Sequence, residues 1–314
     1  MLSRIADSLY WLNRYMERAD GLLRVTATHY ILSLDKDVNG NLNWRPLLEM
    51  FTQDPPETLT PLENDPEASL RRLLTDMDNS NSLKVIVTRA RENARGVQDH
   101  ITKEVWEAVN GMYHLISRPV QADRLSSHHG ALDAMEQFSR NCVLYTGITD
   151  ITMPRGAGWN FMNLGKYLER SLETLILADK QFQIIHYNMD DTKDIVQWRY
   201  LLLALSGYEM HLKTYRNVHY NRNVLHQVLF NEDFPHSLIY SLSRLEKYLS
   251  AVALENRSAE SDALVRYFGR LYSKVRYMDP DTINGRTLQQ FFEEFRRELL
   301  HFSNQLNQHF FSYS

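Results

Sequence analysis

Two adjacent acid–base pairs, Glu17-Arg18 and Glu169-Arg170, sit inside the apolar and aromatic stretches "RYMERAD" and "GKYLERS". Helical residues three and four apart share a face. Glu17 therefore lies with Arg14, Gly21 and Arg24, and Glu169 with Lys166 and Gly165. A glycine one turn from the carboxylate admits close approach of another helix or of a ligand. Such a pair has two uses. Within a polar layer it orients helices; alternatively its arginine grips a carboxylate or phosphate bidentately. Arg18 falls on the stripe Trp11, Tyr15, Leu22, and Trp159 and Tyr167 flank the second pair. The expectation is that Glu17, Arg18, Glu169 and Arg170 are largely buried and hydrogen-bonded.

A third charged cluster, Arg91, Glu92 and Arg95, lies in "TRARENARGVQDHITKEVWEAVN" and is expected to meet the first pair across a bundle. The corresponding later stretch offers Arg244, Glu246 and Lys247, so a ligand site is expected to be better developed around the first pair. Metal chemistry has weak support. His100, Glu104 and Glu107 follow i, i+4, i+7 spacing. A carboxylate di-iron bundle needs Glu-x-x-His on two helices, and Glu298 with His301 is a single match. No metal and no cofactor is expected. No glycine-rich phosphate loop is present, and no nucleophile motif surrounds Cys142 or any serine. His128-His129 reads as the start or cap of a helix, and the aromatics Trp11, Tyr15, Trp44 and Trp106 read as core.

The elements that must position these residues are helices. From Ile5 the apolar positions Ile5, Leu9, Leu12, Met16, Ala19, Leu23, Thr26 and Tyr30 step by alternating fours and threes, the seam of a helix packed on other helices. Breaks fall at "DKDVNGN", at the Pro-rich "TQDPPETLTPLENDP" and at "DITMPRGAG". Between them the spacing predicts helices at about 67–77, 82–117, 127–145, 159–188, 193–227, 235–255, 259–277 and 285–312. No stretch shows strand alternation, and the fold class is all-α.

The sequence also repeats. Tyr167-Leu168-Glu169-Arg170 follows Tyr15-Met16-Glu17-Arg18 by 152 residues, and Trp198, Arg199, Leu201 and Leu202 follow Trp44, Arg45, Leu47 and Leu48 by 154. Leu229, Asp233, Ser237 and Leu238 follow Leu74, Asp78, Ser82 and Leu83 by 155. Three anchors in nearly one register indicate a tandem duplication of about 150 residues. The expectation is a helical bundle of two repeats, residues 1–150 and 151–314, packed together about a pseudo-two-fold axis.

Composition narrows the function. The 314 residues carry a net charge of −4, which disfavours a general nucleic-acid binder. One cysteine excludes an intramolecular disulfide and a cysteine-rich zinc site. No apolar run approaches the roughly 20 residues of a membrane helix, and the N-terminal stretch lacks a signal-peptide core. A soluble cytoplasmic protein is expected.

"MLSRIADSLYWLNRYMERAD", "RARENARGVQDHITKEVWEAVN" and "GITDITMPRGAGWNFMNLGKYLERS" together resemble the alpha-E family, bacterial all-helical proteins with a duplicated Glu-Arg motif. The motif falls on Glu17-Arg18 and Glu169-Arg170; Asn13 departs from the common glycine that its equivalent Gly165 keeps. The resemblance implies company with circularly permuted ATP-grasp ligases, transglutaminase-like proteins and a proteasome-related peptidase. It thus implies a place in peptide synthesis, modification or turnover. A non-catalytic binding or scaffold component, with protein partners and a peptide ligand but no nucleic acid or membrane, is the leading expectation. The alternative is an enzyme acting on peptide or amino-acid substrates through the Glu-Arg cluster.

Overall fold

The computed structural model describes residues 1–34, 42–189 and 195–311. The expected break at "DKDVNGN" lies outside the described residues. Among them every regular element is a helix, and no strand occurs. Two compact units divide the chain, one of residues 11–154 and the other of residues 1–10 with 155–314.

In the unit of residues 11–154 the framework comes from α1 (Ser3–Leu34, from Trp11 onward), α5 (Leu83–Gly96), α6 (Lys103–Ile116) and α8 (His128–Thr152). Shorter pieces, α2 (Arg45–Phe51), α3 (Pro56–Leu59), α4 (Pro66–Leu74) and α7 (Val120–Arg124), fill the connections. Side-chain oxygens start the framework helices: Ser82 accepts from Val85 N, Thr102 from Val105 N and Ser127 from Gly130 N. Helix α5 packs on α6, and α6 on α8. The continuous helix expected over 82–117 is two. Gly96 and Val97 end the first, a 3-10 turn spans Gln98–His100, and Thr102 caps the next. The seam periodicity runs through this corner because both helices bury apolar faces, so spacing alone could not show the turn.

Trp44 is 1% exposed just before α2, edge-on to His29 of α1 with ring centroids 4.6 Å apart. Arg72 of α4 ties the Pro-rich loop to its own helix by bonding Asp54 and Asp76. Asn13, where the resemblance leads one to expect glycine, is buried on α1 and accepts a hydrogen bond from the Tyr145 hydroxyl of α8.

In the other unit the framework is α9 (Ala157–Ile184), α13 (Leu238–Glu255), α14 (Ala259–Arg276) and α15 (Gly285–Phe310), with α10 (Ile195–Ala204), α11 (Tyr208–Thr214) and α12 (Tyr220–Leu225) between α9 and α13. Helix α9 packs on α13 and α15, and α14 on both α13 and α15. An aromatic core of Phe161, Phe182, Phe268, Phe292 and Phe302 fills the space. Residues 1–10 join this unit because Tyr10 is fully buried against Phe311, with its hydroxyl 3.4 Å from Ser303.

The single helix expected over 193–227 is interrupted. Ser206 takes a positive φ of 56°, Gly207 N bonds back to Leu202 O, and the chain restarts at α11. A Cβ on Gly207 would meet Phe234 at 2.6 Å and the Gln227 amide at 2.7 Å. After α12 a π-turn at His226–Phe230 turns Gln227 inward, where its oxygen faces His211 Nδ1 at 2.7 Å and its amide donates to Gly207 O.

Candidate functional site

The two carboxylates of the Glu-Arg pairs are buried as expected: Glu17 is 6% and Glu169 8% exposed. Arg14 is buried with Glu17, and Lys166 beside Glu169 is half-buried. The two arginines of the pairs are not largely buried. Both are intermediate, because each points off its helix towards a loop at the unit surface.

What each arginine does there is the same in both units. Arg18 donates from Nη1 to Asn81 Oδ1 at 3.3 Å, and Arg170 from Nη1 to the Pro235 carbonyl at 3.1 Å. Asn81 immediately precedes Ser82, which caps α5, and Pro235 lies two residues before Ser237, which caps α13. The loops around them share a hydrogen-bond pattern 155 residues apart. Asp78 N donates to Asp76 Oδ1 at 2.9 Å, and Asp233 N to Asn231 Oδ1 at 2.9 Å. Ser82 N donates to Asn79 O at 3.0 Å, and Ser237 N to Phe234 O at 2.9 Å. The capping bonds from Val85 N to Ser82 Oγ and from Tyr240 N to Ser237 Oγ complete it. Each arginine thus fastens an Asx turn and the helix start behind it to the motif helix. A tyrosine supports each guanidinium: Arg18 lies 5.8 Å from the Tyr15 ring centroid, and Arg170 lies 5.4 Å from that of Tyr167.

Around the first pair the aromatic stripe is half-buried. The Trp11 and Tyr15 rings are 5.3 Å apart, and Arg14 lies 4.6 Å over Trp11. Cys142 of α8 is buried nearby. Its thiol is pushed well above the usual range by burial and then by the Asp20 and Glu17 carboxylates, with Arg24 opposing. That is the reverse of an activated nucleophile.

The third cluster does not join the first pair. Arg91 stands on α5 nine residues beyond Ser82. It is engaged by the neighbouring α6, donating to Asn110 Oδ1 at 2.8 Å and lying 4.5 Å over Tyr113 and 5.7 Å from Trp106. Arg95 is exposed and pairs with Glu92 at 2.7 Å. The helix rises 1.5 Å per residue, which puts Arg91 roughly 14 Å along α5 from its capped start. That is too far for it to share a layer with Arg18 and Asn81.

The metal candidates also separate. His100 belongs to the 3-10 turn before α6, so His100, Glu104 and Glu107 do not share one helix face, and Glu107 pairs with Lys103 at 3.6 Å. Glu298 pairs with Lys274 at 2.6 Å, and His301 packs edge-on to Tyr267. Among the described residues no three His, Cys, Asp or Glu side chains come together as metal ligands would. Helix α8 begins at His128 behind the Ser127 cap, and His128 Nδ1 is 2.5 Å from the Tyr30 hydroxyl.

The second pair, expected to be the plainer, has the richer surroundings. Tyr167 stacks on Tyr248 of α13 at 6.0 Å with 12° between the planes, and meets Tyr240 at 6.3 Å. Arg155 lies 3.7 Å over the Trp159 ring. Arg244 lies 4.9 Å over Tyr240 and donates to its hydroxyl at 3.3 Å; Lys247 is 5.5 Å from Tyr248. Burial pushes the Tyr167 phenol up to about 12, with Arg170 opposing, so Tyr167 is a neutral phenol at physiological pH. Sequence reading named Tyr167, Trp159, Arg244 and Lys247 but missed Tyr240, Tyr248 and Arg155. Their signal was present: Tyr240, Arg244 and Tyr248 recur every fourth residue in "IYSLSRLEKYLS", one stripe of a helix.

The chain is 21% identical over 296 residues to uncharacterised proteins of Mycobacterium bovis and Mycobacterium tuberculosis, a match that covers 89% of this chain. It spans only about a third of the length of those relatives, 33%. No solved structure matches the chain. Residues 1–311 match the profile of Alpha-E, described as a predicted alpha-helical domain with a conserved ER motif, and the chain belongs to the Alpha-E family.

Proposed function

We propose that the chain is a non-catalytic binding or scaffold component of a bacterial peptide synthesis, modification or turnover system. It acts in the cytoplasm, with circularly permuted ATP-grasp and transglutaminase-like proteins and a proteasome-related peptidase as partners. One observation carries the reading: in each unit the Glu-Arg arginine is bonded to the turn that starts a framework helix. A guanidinium used in that way shapes a surface rather than a reacting centre. The mycobacterial relatives lend support, since the matching stretch is a minor part of longer proteins, as expected of a module that works beside other activities.

The test mixes the purified chain with a purified circularly permuted ATP-grasp protein from the same organism. Co-elution at fixed stoichiometry, with a Kd in roughly the micromolar range or tighter, is expected. The buried carboxylates Glu17 and Glu169 are what favour the enzyme alternative, because carboxylates out of water are poised for acid–base work. That reading requires the chain alone to turn over peptide or amino-acid substrates, and Glu17→Gln or Glu169→Gln to abolish the turnover without unfolding it. Turnover by the chain alone, with no complex formed, overturns the scaffold reading.

A further inference from the structure

We infer that residues 206–231 form an acid-released latch: when His211 takes up a proton at Nε2, α11 and the π-turn part from the framework helices, and the turn held by Arg170 loses its tie to Tyr215. The inference goes beyond the binding reading above and does not depend on it.

The protonation state of His211 follows from its partners. Gln227 is fully buried, and its amide nitrogen donates to Gly207 O at 2.8 Å, so its oxygen is the atom 2.7 Å from His211 Nδ1. That oxygen accepts. Nδ1 therefore carries the hydrogen, and Nε2 of the neutral ring is bare. His211 is 1% exposed, and its Nε2 is buried with no hydrogen-bond partner among the described residues. A proton at Nε2 creates a buried cation with an N–H that nothing accepts. Burial lowers the proton affinity of His211, the Gln227 bond opposes, and no charged group contributes. Glu209 and Lys213 of α11 pair with each other in solvent at 3.9 Å. The other titratable groups of the elements packed here are Tyr208 of α11, Arg199 and Tyr200 of α10, His226 of the π-turn, and Tyr215, whose ring stacks on His211 at 5.0 Å. Neutral when the latch is closed and free to charge when it is open, His211 supports closure fully above pH 6.5 and progressively less below it.

Tyr215 carries the connection to the turn. Its hydroxyl accepts from Asn231 Nδ2 at 3.0 Å and faces His226 Nδ1 at 2.7 Å. Asn231 Oδ1 in turn accepts from Asp233 N in the loop that Arg170 grips. The backbone of the segment does little to hold it. Ser206 sits at a positive φ of 56°, α11 and α12 are only 7 and 6 residues long, and a π-turn joins them to the Asx turn. A piece of this kind opens separately from the long helices around it.

The other unit shows that the fold does not require a histidine here. Gln227 and Asn231 follow Arg72 and Asp76 by 155 residues. Arg72 bonds both Asp54 and Asp76, a tie between permanently charged groups that persists well below pH 6.5. The acid-sensitive version is confined to the unit of residues 155–314.

The test is native-state hydrogen exchange of the purified chain at pH 7.5 and 5.5, corrected for the pH dependence of chemical exchange. A histidine that is neutral when closed and titrates near 6.5 when open multiplies the opening constant by about ten over that interval. About ten-fold lower protection is expected in α11, α12 and the π-turn, with α9, α13, α14 and α15 within about two-fold. His211→Asn keeps a donor for the Gln227 oxygen and cannot charge, so the change there should shrink to within about two-fold. Long-range proton–nitrogen NMR of the wild type needs no variant to fold, and should show His211 as the neutral Nδ1–H tautomer at pH 7.5. Unchanged protection of the segment at pH 5.5, an equal loss in the framework helices, the same loss in His211→Asn, or an Nε2–H tautomer would each overturn the proposal.

Discussion

Replacing His29 with phenylalanine should remove a defined part of the protein's sensitivity to acid. His29 is 2% exposed on α1, edge-on to the buried Trp44, and burial lowers its pKa from 6.5 to about 4. A histidine whose folded pKa is depressed is held neutral in the folded state. Its contribution is fully present above pH 6.5, where the unfolded chain is also neutral, and is lost as pH falls from 6.5 towards 4. The interval, at about 1.36 kcal/mol per pH unit, bounds the loss at roughly 3 kcal/mol, of which about 2 kcal/mol is expressed by pH 5. The assay is urea unfolding of wild type and His29→Phe followed by tryptophan fluorescence at pH 8, 6.5 and 5. Phenylalanine keeps the edge-on packing against Trp44, and the difference between the two proteins cancels every other titrating group. The variant should gain about 2 kcal/mol relative to wild type on going from pH 8 to pH 5. A difference that stays constant across that range would refute the assignment of a buried neutral histidine.

Arg170→Ala should destabilise the protein by about 1–2 kcal/mol through loss of the bond to the Pro235 carbonyl, and hydrogen exchange should rise first at Ser237–Ser241. A melt and an exchange pattern like those of wild type would remove the clamp role of the motif arginine. Cys142, buried and with its thiol pKa raised, should resist a thiol reagent at pH 8 in the native protein and react fully in urea. Rapid stoichiometric labelling of the native protein would contradict that environment.

Much of the architecture was legible because it depends on local pattern. The alternating steps of three and four from Ile5 to Tyr30 demand a helix with one buried seam, and α1 has it. Ser82 and Ser237, which the repeat aligns, prove to cap the starts of α5 and α13, because a side-chain oxygen in front of an apolar run satisfies the first N–H groups. The burial of Glu17 and Glu169 followed from their place inside apolar stripes. The corners at Gly96–Thr102 and Ser206-Gly207 were not legible, since apolar periodicity continues through them while the backbone turns.

The sequence by itself determined that the chain is built of helices, which faces most of them bury and that the Glu-Arg pairs recur. Only tertiary structure decided what the pairs touch. Arg18 and Arg170 reach loops 63 and 65 residues away, while Arg91, equally basic and also on an apolar helix, is taken by Asn110 and Tyr113 of α6. Helical spacing specifies the direction in which a side chain leaves its own helix. Which loop or ring waits in that direction depends on how distant helices pack, and that placed the phenol and cation face beside Arg170 rather than beside Arg18.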